Sequence, residues 1–292
     1  MKLLGRIARD RVALAGLLVL AVIVLAAIFA PVLATYPQDV TTYHTAQRLL
    51  PPSAAHWFGT NQMGGDIYSR LLFGARITLM TAVIAVAVSV LIGVPIGLVG
   101  GYWPGFVGDG LMRVSDVFLA VPQIVLAMAI AATLGPQIQN VILALSLTYW
   151  PFWARLVYAE TRNAKNEIYV EAAIALGVPP WRVMVLHILP AIAPSLIIRT
   201  SIGLGGTILT ASALGFLGLG PPPPSPEWGR MIADARAFLP GAWWNAAAPG
   251  IAILVLVMAF NLIGDGLRDV LDPKLRGQAR AVAAPAEDEA GD

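Results

Sequence analysis

Residues 160–190 read ETRNAKNEIYVEAAIALGVPPWRVMVLHILP, and the rest of the chain is arranged around them. This is the longest polar-bearing interval between apolar runs on the side where Arg155, Arg162, Lys165 and Arg182 collect. Ile168, Ala172, Ala175 and Leu176 recur at helical spacing and fall near one face. Gly177 supplies the left-handed conformation that ends a helix, and Pro179-Pro180 forbid its continuation. The predicted unit is a helix, a Gly-Pro turn and a second short helix on a polar loop between membrane spans. Such a unit is either a docking element for a soluble partner or an interfacial loop with none.

Composition supports the spans. The chain has 292 residues, 58% of them hydrophobic and 12% charged, with a mean hydropathy of +0.74. Soluble domains average ~25% charged. A water-soluble fold of this size has too little interior for so much apolar surface, so the fold class is an all-α, polytopic membrane protein. The net charge of +2 says little, whereas its placement matters. No nucleic-acid signature accompanies the basic residues, and without cysteine there is neither a disulfide nor a thiolate site.

Six transmembrane helices are predicted. The first covers residues 12–34, ~23 uncharged residues or ~34 Å of helix, longer than the core of a signal peptide. Lys2, Arg6, Arg9 and Arg11 precede it and place the N-terminus (1–11) in the cytoplasm. An external loop to residue 76 follows. Further spans are read at about 77–100, 112–134, 139–157, 190–214 and 248–266. Gly93-x3-Gly97 permits close helix packing. Residues 12–76 thus form a first span with its external loop, 77–277 a core of five spans, and 278–292 a disordered cytoplasmic tail.

Charged and polar groups inside spans are functional suspects. Arg113 and Asp116 stand three apart at the start of the third span and are read as a local salt bridge, with Pro122 bending the helix beyond them. Arg199 sits about one third of the way into the fifth span. It faces the bundle interior, a cavity or a second subunit, or else snorkels to the cytoplasmic surface. Asn261 is the strongly polar group inside the sixth span. Pro221–Pro224 predict an extended arm, and Trp228, Trp243 and Trp244 suit a membrane interface.

Four motifs, in order, carry a family resemblance. Glu171-Ala172-Ala173, Gly177 and Ile188-Leu189-Pro190 resemble the EAA-x3-G…I-x-LP cytoplasmic loop of ABC-importer permeases. His56-Trp57-Phe58-Gly59-Thr60-Asn61 to Asp66 resembles the H-x-F-G-T-D-x-x-G-R-D signature of dipeptide, oligopeptide and nickel permeases. Asn61 replaces the usual acid there and Gly65 the usual arginine, so an ion pair between them is unavailable. The run from Arg113 through Pro122 resembles the same family. So do Leu214–Gly220 with Pro226-Glu227-Trp228-Gly229, closest to the dipeptide branch, and Phe260–Lys274.

The resemblance covers residues 55–277 and implies a type I ABC-importer bundle. It implies a homologous second permease, two ATP-binding cassette ATPases docked on the permease loops, and an extracytoplasmic solute-binding protein. Glu171, Ala172, Ala173 and Gly177 would transmit force without chemistry. This chain has no G-x4-G-K-[ST] phosphate loop, so ATP would be bound by partner subunits, with no cofactor in the chain itself. His44, His56 and His187 lack metal-ligand spacing. The alternatives are a nickel-chelate permease of the same family, an ion-coupled secondary transporter and an intramembrane enzyme. For the second no repeat is found.

Overall fold

Inside a bilayer no water satisfies backbone amides and carbonyls, so an uncharged run must close its own hydrogen bonds as helix. The computed structural model describes residues 10–42 and 44–271. The basic Lys2, Arg6 and Arg9, the Asp272-Pro273-Lys274 end and the tail after Gly277 lie outside them.

Helix α1 (Arg11–Ile28) starts at Asp10, whose carboxylate accepts from the Val12 and Ala13 amides. It ends ahead of Pro31, which has no N–H to bond back, and a single turn, α2 (Ala30–Leu33), follows. Helix α3 (Ile67–Tyr102) has 36 residues and begins ten residues before the uncharged run. Asp66 caps it, taking the Ser69 amide and hydroxyl at 2.9 and 2.7 Å. Arg70 and Arg76 therefore ride on the helix and not in the loop before it.

Helices α4 (Phe106–Leu119) and α5 (Gln123–Leu134) meet at 81° around Pro122, one broken span. Helix α6 (Ile138–Lys165) runs to the short α7 (Ile168–Ala175). Next comes α8 (Pro180–Phe216), 37 residues long with a π-helical turn at Val183–Ile188. Pro190 cannot donate to the Leu186 carbonyl and its ring crowds that turn. The wider π turn just before it lets the helix continue. The second short helix of the loop is therefore the start of α8, and the fifth span begins well before residue 190. Helix α9 (Trp228–Ala235) lies at the opposite end from α7, and α10 (Trp244–Leu271) closes the bundle. Among the described residues, five helices are long and apolar enough to cross a membrane, and the bent α4–α5 pair, counted as one span, makes a sixth.

Between membrane helices there is little hydrophobic drive, so close contact and hydrogen bonds decide the packing. Gly93, Gly97 and Gly101 form a seam on α3 against α6. A Cβ at Gly93 would stand 2.6 Å from the Trp150 carbonyl oxygen, and one at Gly97 2.5 Å from that of Ala154. Ser89 Oγ donates to the Ser146 carbonyl at 3.3 Å, and Ser146 Oγ to that of Ala85 at 3.4 Å, across the same interface. Gly16 brings α1 close to Ala259 of α10, where a Cβ would stand 2.9 Å from the carbonyl oxygen, and Gly264 brings α10 against the Ile202 side chain of α8. A cluster around Ile67, Ile208, Trp228 and Leu256 fills the centre of that half. Val157, Val170, Val183 and Ile188 fill the α7 end.

Candidate functional site

The α7 unit projects beyond the spans. Its helix ends in a Schellman turn: Gly177 takes φ +78°, its amide donates to Ile174 O at 2.9 Å, and Val178 N donates to Ala173 O at 3.1 Å. Val170 and Ala173 turn inward, and Val170 joins the cluster with Val183 and Ile188. The opposite face looks out: Ile168 and Leu176 are 84% and 85% exposed, and Glu171, Ala172 and Ala175 lie beside them. The predicted apolar stripe is thus an outer surface, with Trp181 exposed next to it. Of the two alanines in the EAA motif, only Ala172 is available to a partner; Ala173 is spent on the chain's own packing. Lys165 Nζ donates to Tyr102 O at 2.7 Å and ties the loop's root to the end of α3.

The polar groups within the spans are arranged differently from their sequence spacing. Asp116 does not pair with Arg113. It forms its ion pair with Arg155 of α6. An Arg–Asp pair three apart on one helix is worth only a few tenths of a kcal/mol, least with the cation first, so a tertiary partner prevails. Arg199 stands midway along α8 because that helix starts earlier than expected, and its guanidinium lies 5.1 Å from the Phe152 ring centroid on α6. Asn261 is exposed, with Oδ1 against Gly205 of α8, where a Cβ would come within 3.2 Å of it.

At the opposite end the loops are tied to the helices by a buried polar network. His56 Nδ1 and Asp66 Oδ1 are 2.9 Å apart, and the Asp66 amide donates to Asp39 Oδ2 at 2.9 Å. Arg70 donates to Asp39 O and Val40 O, both at 3.3 Å, and to Pro224 O at 3.0 Å. Asn61 accepts from the Met63 and Gly65 amides at 2.9 and 2.8 Å and so holds the glycine turn. The 221–224 prolines are no extended arm. Ser225 N closes a turn on Pro222 O at 3.2 Å, and the segment is bonded to α3 through Arg70. Trp228 is not an interface anchor either: it is 3% exposed and its Nε1 donates to Leu71 O at 3.1 Å. Glu227 caps α9 through the Gly229 and Arg230 amides at 2.9 and 2.7 Å.

Comparison with known proteins extends this picture over nearly the whole chain. The family described as binding-protein-dependent transport system inner membrane component matches residues 93–277. The N-terminal TM domain of oligopeptide transport permease C matches residues 3–52. The dipeptide transport system permease protein DppC of Alkalihalophilus pseudofirmus is 41% identical over 268 residues, which is 92% of this chain and 88% of that one. The probable D,D-dipeptide transport system permease protein DdpC of Escherichia coli K12 is 41% identical over 89% of this chain and 87% of its own. The glutathione transport system permease protein GsiD of Pectobacterium atrosepticum is also 41% identical, over 93% and 90%. Among solved structures, an inward-facing form of the MetNI methionine ABC transporter aligns with a TM-score of 0.56 at 22% identity, covering 69% of this chain and 96% of that one; this likeness is one of fold. A six-span bundle with a projecting apolar helix, matched over most of its length by such permeases, belongs to the binding-protein-dependent transport system inner membrane components, the permease subunits of ABC importers.

Proposed function

We propose that this permease, paired with a similar second permease, carries dipeptides or short oligopeptides inward across the bacterial inner membrane, driven by two ATPase subunits and fed by an extracytoplasmic solute-binding protein. The observation that carries the mechanism is the outward apolar face of α7. Ile168 and Ala172 on a helix of 8 residues, and Leu176 at its C-cap, stand uncovered, and the helix is too short to enter a bilayer as a span. A soluble subunit with a matching cleft would cover it. Glu171 and Gly177 complete that docking unit, Glu171 as an exposed charge toward the partner and Gly177 by fixing the angle between α7 and α8. Basic residues around α7 support a reading in which this end and both termini are cytoplasmic and the α9 end is outside. The separate matches at 3–52 and 93–277 support a division into an N-terminal span with its loop and a core. The relatives' names favour peptides over nickel chelates. Hydrolysis of ATP belongs to the partners, and the chain contributes the gate.

The test is reconstitution. The chain is co-expressed with its sister permease and ATPase, purified by a tag on this subunit, and ATP hydrolysis is measured in lipid with binding protein and dipeptide. The expected result is a stable complex whose hydrolysis rises with loaded binding protein. A chain that binds no ATPase yet moves solute down an ion gradient would replace this reading with a secondary transporter. Within the complex, Gly177→Asp has open space for its side chain and puts an L residue at φ +78°, a strain of about 1 kcal/mol, so folding survives. Its added charge and altered turn should leave ATP hydrolysis running while uptake is lost; unchanged uptake would remove Gly177 from the coupling path.

A further inference from the structure

A chain that crosses a bilayer turns its charges away from lipid. The exposed positions of α1 from Val12 to Ile28, of α3 from Met80 to Leu91 and of α10 from Ile251 to Met258 are all apolar. Near the middle of the bundle, charged groups sit on α4, α6 and α8. Asp116 of α4 pairs with Arg155 of α6, both half exposed. One turn along α6 from Arg155, Phe152 carries the Arg199 guanidinium of α8. Farther along the same two helices, Tyr149 Oη and Thr210 Oγ1 are 2.8 Å apart, and Gly206 borders open space. Helices α6 and α8 therefore present a polar track running from the middle of the bundle toward the α9 end.

Along this track Arg199 differs from the other charges. Asp116 is engaged by Arg155, and among the described residues Arg199 forms no ion pair. An aromatic ring holds a cation in place without neutralising it. A guanidinium fixed in this way keeps its planar donor fork free, and that fork fits a carboxylate with two parallel hydrogen bonds. Every unmodified peptide carries one carboxylate at its C-terminus. Resting on the importer reading above, we propose that the α6–α8 face lines the translocation path and that Arg199, seated on Phe152, is the subsite that takes the peptide's carboxylate as it passes.

The test uses the complete complex in proteoliposomes with its own binding protein, comparing ATP-driven uptake of Ala-Ala and of its C-terminal amide, which lacks the carboxylate, by unmodified protein and by Arg199→Lys, Arg199→Met and Arg199→Glu. The binding protein is the same throughout, so a changed preference arises in the permease. Uptake should fall in the order Arg, Lys, Met, Glu. The ratio of Ala-Ala to amide uptake should fall about tenfold in Arg199→Glu, since the C-terminal carboxylate would then meet a like charge. Equal loss for both peptides would overturn the proposal in favour of a purely structural arginine. Unchanged uptake in Arg199→Met would overturn it in favour of a snorkelling cation. Co-purification of the subunits is checked for each variant, and if Arg199→Glu does not assemble, the Lys and Met variants decide by the same ratio. An assembled, unmodified complex that takes up neither peptide would defeat the peptide-importer reading itself, a separate outcome.

Discussion

Glu227 shows how a single residue at the α9 end couples the molecule to pH. Its carboxylate accepts two backbone amides and lies near Arg230, all of which favour the charged form, yet burial outweighs them and pushes its pKa up to about 7. The folded protein therefore holds a proton that the unfolded chain releases near 4.5. Stability from this group is fully present below the unfolded value, declines as pH rises toward 7, and levels off above it. The whole effect is at most a few kcal/mol. Glu227→Gln keeps one acceptor for the cap and cannot ionise. Its melting temperature in detergent should vary less between pH 5 and pH 8 than that of the unmodified protein, and should be the higher of the two at pH 8. An unaltered pH slope would assign the titration to another group.

At the scale of elements, the contact between α3 and α6 depends on having no side chain at three successive turns. Gly97→Ala would place a methyl 2.5 Å from the Ala154 carbonyl, and the helices would have to part, at a cost of roughly 1–3 kcal/mol. Gly110→Ala on α4 meets nothing within 4 Å and should be neutral or gain up to about 1 kcal/mol from helix propensity. Thermal melts of the two variants compare packing with propensity directly; equal stability would show that the seam is not tight. Only part of this was legible in the sequence. Uncharged runs locate membrane helices because lipid admits little else, and Gly93-x3-Gly97 is visible as spacing. The α7 unit was legible for a similar reason, since Gly177 and the proline pair act on their own neighbours. The ten early residues of α3 were hidden because a capped helix tolerates Arg70 and Arg76 once it has left the apolar layer. The π turn was hidden because Pro190 reads as a helix start when its upstream neighbours are unknown. Asp116 misled because its best partner, Arg155, is close only after α4 and α6 have packed.

For the whole molecule, the far end is held by one side chain that bridges distant parts of the chain. Arg70 joins α3 to the loop at Asp39 and Val40 and to the turn at Pro224. Arg70→Met keeps much of the stem and removes the donors, leaving buried carbonyls unsatisfied at ~1–3 kcal/mol each. Both loops should become sensitive to protease in the folded, detergent-solubilised protein, while the spans stay intact; protection equal to that of the unmodified protein would show that His56, Asp66 and Asp39 suffice. The same connectivity bears on motion. Helix α8 runs unbroken for 37 residues, about 55 Å, from the turn at Gly177 to the one at Gly218. A stiff rod of that length is a geometric amplifier. Pivoted near its middle, where Arg199 leans on Phe152, a tilt of about 5° would swing each tip by roughly 2–3 Å in opposite directions. One end of the permease would then narrow as the other widens, with no signal passed from residue to residue and no interval in which both ends stand open.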